Sequence, residues 1–195
     1  MKSRLTSNIN QQKPQNNIPA APKKKPLEYI AINLPAKQIH DILEKTFASL
    51  SPEEATFFRQ LQATRRIPPK FHVTLIHRAS AKANPELWAK YAGLNEAAGG
   101  EDKVLGECQI QLERVVWSER LMAIVVRILG EDWESANAVP HVTVGTRAED
   151  IKPRESNDLL EMWLQVGSGG ETGIGEVGLK GVVLEGWVQG VLARH

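Results

Sequence analysis

Apolar and polar positions change rhythm several times along the chain, and each change marks an element. Leu27-Glu28-Tyr29-Ile30-Ala31-Ile32-Asn33-Leu34 reads as a strand closed by Pro35. Ile39, Leu43, Phe47 and Leu50 then recur at spacings of three and four, which lays one apolar stripe along a helix from about Ala36 to Leu50. A second helix is announced by Ser51 as cap, Pro52 in the first turn and Glu54 positioned to reach back, and it buries Phe57, Phe58 and Leu61. Arg65-Arg66-Ile67-Pro68-Pro69-Lys70 breaks the pattern, its cations either at a site mouth or simply in solvent. Phe71 to Ile76 reads as a strand, and Asn84-Pro85-Glu86 caps a helix carrying Leu87, Trp88, Tyr91 and Leu94 that Gly99-Gly100 ends. Two β-rich runs, Val104 to Trp117 and Leu121 to Leu129, meet through Ser118-Glu119-Arg120 as a hairpin. A strand from His141 to Gly145, a helix with Leu159, Leu160, Trp163 and Leu164, and a glycine-punctuated pair of strands from Ile174 to Leu192 complete the pattern.

Residues 1–26 differ in kind. They are rich in Asn, Gln, Pro and Lys and almost free of large apolar side chains, so they cannot offset the entropy of ordering. This segment is expected to be a disordered basic linker or tail, with Lys23, Lys24 and Lys25 either solvated or a nuclear signal, and residues 27–195 to be the folded domain. Lys and Arg number 24 against 23 Asp and Glu, a net charge of +1, so any contact with nucleic acid has to be local; recognition of an end is expected, not wrapping of a duplex. Cys108 is the only cysteine, which excludes an internal disulfide and a Cys-rich metal site and points to a reducing compartment, cytoplasmic or nuclear. No apolar run approaches the roughly 20 residues of a membrane span. A monomer is the default expectation.

Two of the strands repeat one another. Phe71-His72-Val73-Thr74-Leu75-Ile76-His77-Arg78-Ala79 and Pro140-His141-Val142-Thr143-Val144-Gly145-Thr146-Arg147-Ala148 match at His, Val, Thr, Arg and Ala, as an internal duplication would. On a strand, positions i and i+2 share a face, so His72 projects beside Thr74 and His141 beside Thr143 while the valines enter the core. If the duplicated halves form pseudo-symmetric lobes, the two faces converge on one cleft able to hold a tetrahedral anion. Displacement at phosphorus needs a base behind the entering water and an acid behind the leaving oxygen, and two imidazoles with ordinary pKa near 6.5 supply both. Threonine hydroxyls donate to nonbridging oxygens. His72 and His141 are therefore the candidate acid/base pair, and Thr74 and Thr143 the candidate phosphate anchors, with no metal and no cofactor.

The paired motifs resemble those of the two-histidine (2H) phosphoesterase superfamily, whose mark is a pair of His-x-Thr/Ser-apolar sequences on duplicated lobes. Within it, the strand and two-helix insertion before the first motif, the run His72-Val73-Thr74-Leu75-Ile76-His77 and the basic leading segment look most like the carboxy-terminal cyclic phosphodiesterase domain of fungal tRNA ligases. The resemblance covers residues 27–195. It implies an α+β bilobal fold, two pseudo-symmetric antiparallel sheets flanked by helices around a central cleft. It also implies hydrolysis of RNA 2',3'-cyclic phosphate ends to 3'-hydroxyl and 2'-phosphate ends, the healing step of tRNA splicing. By that resemblance His141 is the base that activates water and His72 the acid that protonates O3'. Substrates would be tRNA exon halves, and ligase and kinase domains would belong to a larger chain. No phosphate-cradling Gly-x-x-x-x-Gly-Lys motif occurs, so sealing and kinase chemistry are not expected of these residues.

Alternatives remain open at this level: a noncatalytic RNA-end binding module, or another 2H enzyme acting on 2'-5' linkages, on ADP-ribose cyclic phosphate or as a 3'-exonuclease. Arg78 and Arg147 share the parity of their histidines and are either phosphate contacts or solvated strand ends. His77 is expected in a structural or rim role, and His40 and His195 are expected to be incidental. Phe71, Trp117 and Trp187 either stack a base or fill the core, as strand aromatics usually do.

Overall fold

The computed structural model describes residues 25–100 and 103–193. The reading of residues 1–26 as a linker therefore falls outside the described residues, apart from Lys25 and Pro26. Ten main elements follow in order: β1 (Leu27–Leu34), α1 (Ala36–Ala48), α2 (Pro52–Ala63), β2 (Phe71–His77), α3 (Pro85–Ala97), β3 (Val104–Trp117), β4 (Leu121–Ile128), β5 (His141–Thr146), α4 (Ser156–Val166) and β6 (Gly175–Leu192).

Local chemistry sets most boundaries. The α2 start is a reciprocal capping box, with the Glu54 amide donating to Ser51 Oγ at 3.3 Å and the Ser51 amide donating to Glu54 Oε2 at 3.0 Å. Helix α1 ends sooner than its apolar stripe, because the Ser49 hydroxyl donates to the Thr46 carbonyl at 2.7 Å and diverts the last turn; Leu50 still packs on the core just beyond it. Asn84 does not cap α3 with its side chain, which donates instead to the Ser80 carbonyl at 3.2 Å across the 3₁₀ turn Arg78–Ser80. Ser118 and Leu121 close the β3–β4 hairpin through a 3.0 Å backbone bond, as the sequence predicts.

All six strands pair antiparallel into one closed barrel, in the order β1-β2-β5-β4-β3-β6. The expected two separate sheets are thus joined into a continuous ring, and the reason lies in two long strands. β3 pairs with β6 over nearly its whole length, from Val104 opposite Gln189 to Trp117 opposite Gly175, and so ties together what would otherwise be two halves. The expected pair of strands after Ile174 is likewise one strand, β6. Its glycine punctuation forms a bulge: Leu112 faces Val182 while Arg114 faces Gly178, and Lys180 and Gly181 take φ of 50° and 69° to absorb the extra residues.

One apolar cluster joins the inward residues of all six strands, Ile32, Val73, Ile110, Ile124, Val142 and Val188 among them, to Ile39, Leu43, Phe47, Phe58 and Leu61 of α1 and α2. Each such large side chain contributes roughly 1.5–3 kcal/mol on burial. A smaller cluster seats Leu159 and Leu160 of α4 on Val116, Leu121, Ala123 and Val125. The ring is thinnest between β2 and β5, where Val73 opposite Val142 is the one registered pair. Beyond it, the connection before β5 takes over the free edge of β2: Ser135 Oγ donates to the Thr74 carbonyl at 2.9 Å and the Ala136 amide to the Leu75 carbonyl at 2.7 Å.

Candidate active site

That single pair places the repeated motifs. Val73 opposite Val142 is the registered pair, and antiparallel alternation about it sets His72 towards Thr143 and Thr74 towards His141. The valines enter the large core, so all four polar side chains lie together on the other face. The two histidines are then diagonal neighbours, which in a regular ladder puts their Cα atoms about 7–8 Å apart. Their electrostatics agree. Burial pushes both imidazoles below the ordinary histidine range, and the His141 charge pushes His72 down further.

His141 is buried, 8% exposed, and held from behind. Its Nδ1 lies 2.8 Å from the Val139 carbonyl oxygen. A carbonyl only accepts, so Nδ1 carries the proton and Nε2 keeps its lone pair while the ring is neutral. That bond opposes the effect of burial and favours the charged ring. Pro140 keeps Val139 out of helical backbone, which leaves the carbonyl available. Thr143 is also held. Its Oγ1 lies 2.9 Å from Oγ of the fully buried Ser156 at the start of α4, and donates to the Pro153 carbonyl over a long 3.4 Å.

The first motif is furnished differently. Neither ring nitrogen of His72 and not the Thr74 hydroxyl has a hydrogen-bond partner among the described residues. The His72 ring is instead stacked on Tyr29 of β1, with centroids 5.5 Å apart and planes 25° from parallel. Tyr29 stacks in turn on His77, at 6.1 Å and 15°. His77 accepts the Ala79 amide on Nδ1 at 3.0 Å and presents Nε2 to Glu28 Oε1 at 3.2 Å. Tyr29 and Ser156 are neighbours of the site that the sequence reading did not single out. The only signal for Tyr29 was an aromatic on the strand before the first motif, and Ser156 carried none.

Other expected residues divide cleanly. Arg78 is exposed in the 3₁₀ turn after β2, and exposed Arg147 lies 4.0 Å from Glu119. Arg66 is a strut: it donates to the Thr146 carbonyl at 3.0 Å, the Thr146 hydroxyl at 2.9 Å and the Ala148 carbonyl at 2.7 Å, pinning the end of β5. Gly145 makes this approach possible, since a Cβ there would sit 2.7 Å from the Arg66 carbonyl oxygen. His40 packs edge-on against Phe71, and His195 lies outside the described residues. Phe71 is core, and so is the Trp117 ring, which packs on Phe47 and covers Gly175; Trp187 is the open one, 38% exposed on β6 opposite Asn33. Among the described residues, no three His, Cys, Asp or Glu side chains are grouped as a metal site.

Comparison with known proteins gives a consistent picture. The chain is 28% identical over 153 residues to tRNA ligase 1 of Arabidopsis thaliana, a match covering 75% of this chain and 13% of that protein. It is 28% identical over 143 residues to tRNA ligase 1 of Schizosaccharomyces pombe, covering 71% of this chain and 17% of that one. This chain therefore spans a small part of the length of those relatives. A crystal structure of a fungal RNA kinase shares the fold, with a TM-score of 0.66 at 21% identity over 89% of this chain and 47% of that one. A family model of the fungal tRNA ligase phosphodiesterase domain matches residues 1–192, and by that match, as the paired His-Val-Thr strands implied, the chain belongs to this family.

Proposed function

We propose that this domain hydrolyses RNA 2',3'-cyclic phosphate ends to 3'-hydroxyl and 2'-phosphate ends, without a metal, as the healing step that precedes tRNA ligation. The observation that carries the reading is the quartet at the β2–β5 seam: two imidazoles and two hydroxyls on one face, gathered around one backbone pair. In this scheme the barrel consists of two pseudo-symmetric halves that meet at that pair, and the phosphorus sits between the motifs. Water attacks phosphorus in line with the P–O3' bond, Nε2 of His141 takes its proton, the P–O3' bond breaks, and His72 delivers a proton to O3'. The Nδ1 bond to Val139 supports His141 as base, because it leaves Nε2 ready to accept. Thr74 donates to a nonbridging oxygen as negative charge grows on it, and Thr143 does the same once its one hydroxyl hydrogen turns from the long Pro153 contact to the phosphate, with Ser156 then donating to Thr143 Oγ1. tRNA exon halves are the substrate in this reading, and ligase and kinase segments its neighbours in a longer polypeptide, since the curated relatives are tRNA ligases of which this length is a small part.

The test is incubation with a 2',3'-cyclic mononucleotide in excess EDTA, with the position of the product phosphate identified. Conversion to the 2'-phosphate alone is expected. Tight binding with no turnover would make the domain an RNA-end binder, and strict dependence on added divalent metal or a 3'-phosphate product would exclude the proposed mechanism.

A further inference from the structure

The two histidines are oriented by different means, and the means used for His72 carries a consequence for its chemistry. His141 has a carbonyl behind it. Among the described residues His72 has no hydrogen-bond partner and is stacked on Tyr29, whose ring is also stacked with His77, which is tied to Glu28 and to the Ala79 amide. Glu28, Tyr29 and His77 thus form a short tethered column that ends on the His72 ring. An aromatic face is negative at its centre and attracts a cation laid against it.

We infer that Tyr29 is a positioning residue for His72: its ring, backed by His77, fixes the plane of the imidazole and stabilises the protonated form that the proposed acid role requires. The inference rests on that role for His72. Burial and the His141 charge both work against the imidazolium. The groups that face His72 are His141 from β5 and Tyr29 from β1, with His77 of its own strand and Glu28 of β1 behind the tyrosine. Tyr29 is therefore the neighbour that offsets the first two. The contribution belongs to the ring face, so phenylalanine preserves it and leucine, of comparable bulk, does not.

The experiment compares Tyr29→Phe and Tyr29→Leu in two ways: the imidazole proton titration of His72 by NMR, assigned with His72→Asn, and the pH profile of kcat/KM on a 2',3'-cyclic mononucleotide. Tyr29→Leu is expected to move the His72 titration and the high-pH limb of the profile about one pH unit lower, the size of a partly desolvated cation–π contact. Tyr29→Phe is expected to leave both in place. A leucine variant with unmoved titration, or a phenylalanine variant shifted as far as leucine, overturns the inference. Because the titration needs no turnover, it decides the matter even if the wild-type chain fails to hydrolyse the cyclic nucleotide, an outcome that would sink the functional reading separately. If the titration shifts while the low-pH limb is the one that moves, the stacking effect stands but His72 is the base and the positioning argument for an acid falls.

Discussion

The β2 and β5 motifs carry the same three residues in the same alternation, yet the protein around them treats the two copies in opposite ways. On β5 the imidazole is locked by Val139 and the hydroxyl by Ser156 and Pro153 before any substrate arrives. On β2 the hydroxyl and both ring nitrogens have no hydrogen-bond partner among the described residues, and the ring is stacked on Tyr29. A duplicated motif therefore does not mean duplicated roles. The copy with a fixed tautomer suits proton acceptance from the start, and the copy without one suits a group whose protonation answers to the bound anion.

The largest effect that tests this contrast is loss of either imidazole. His72→Ala and His141→Ala are each expected to lower kcat on a 2',3'-cyclic mononucleotide by about 100- to 10,000-fold with the fold retained by circular dichroism. A folded variant of either kind with near-normal turnover would end the idea of a working pair. Next come the hydroxyls. Thr74→Ala and Thr143→Ala each remove one donor and are expected to cost about ten- to a hundredfold in kcat/KM, less than the histidines because other donors remain.

Ser156→Ala sharpens the contrast further, since it touches only the β5 copy. A loss of a few-fold in kcat/KM is expected, and no further loss in a Thr143→Ala background, because the serine acts through that hydroxyl. Additive losses in the double variant would assign Ser156 a separate role. The smallest effect is a displacement in pH. The base must be neutral and the acid protonated, and burial holds both histidines below their ordinary value, so the kcat/KM optimum should fall below pH 6.5, with activity declining as pH rises through the His72 titration. The bound phosphate anion favours the His72 imidazolium, so the high-pH limb of kcat should lie above that of kcat/KM. An optimum on the alkaline side, or coincident limbs, would contradict the assignment.

Much of this was legible in the sequence because it depends on local rules. The capping box of Ser51 and Glu54, the stripe of Ile39, Leu43 and Phe47, and the period of two that sets His72 beside Thr74 all concern residues within a few positions of each other. What was not legible depends on register between distant strands. Closure into one barrel follows from the length over which β3 and β6 pair, and the sequence shows two apolar runs broken by glycines without showing that a bulge keeps the second continuous. Tyr29 meets His72 across two strands, and Ser156 meets Thr143 from the start of a helix, so no spacing along the chain signals either contact. The three candidate stacking aromatics were indistinguishable by type; only the sheet face and the neighbours separate exposed Trp187 from buried Phe71 and packed Trp117.

The thin junction of β2 and β5 has its own consequence. Because one backbone pair joins the strands there, the segment that lays Ser135 and Ala136 along the remaining edge of β2 completes the wall beside the two motifs. In the proposed mechanism, changes of length in that segment would shift the spacing of the two motif strands while leaving every chemical group of the centre intact, so that a loop works as a spacer.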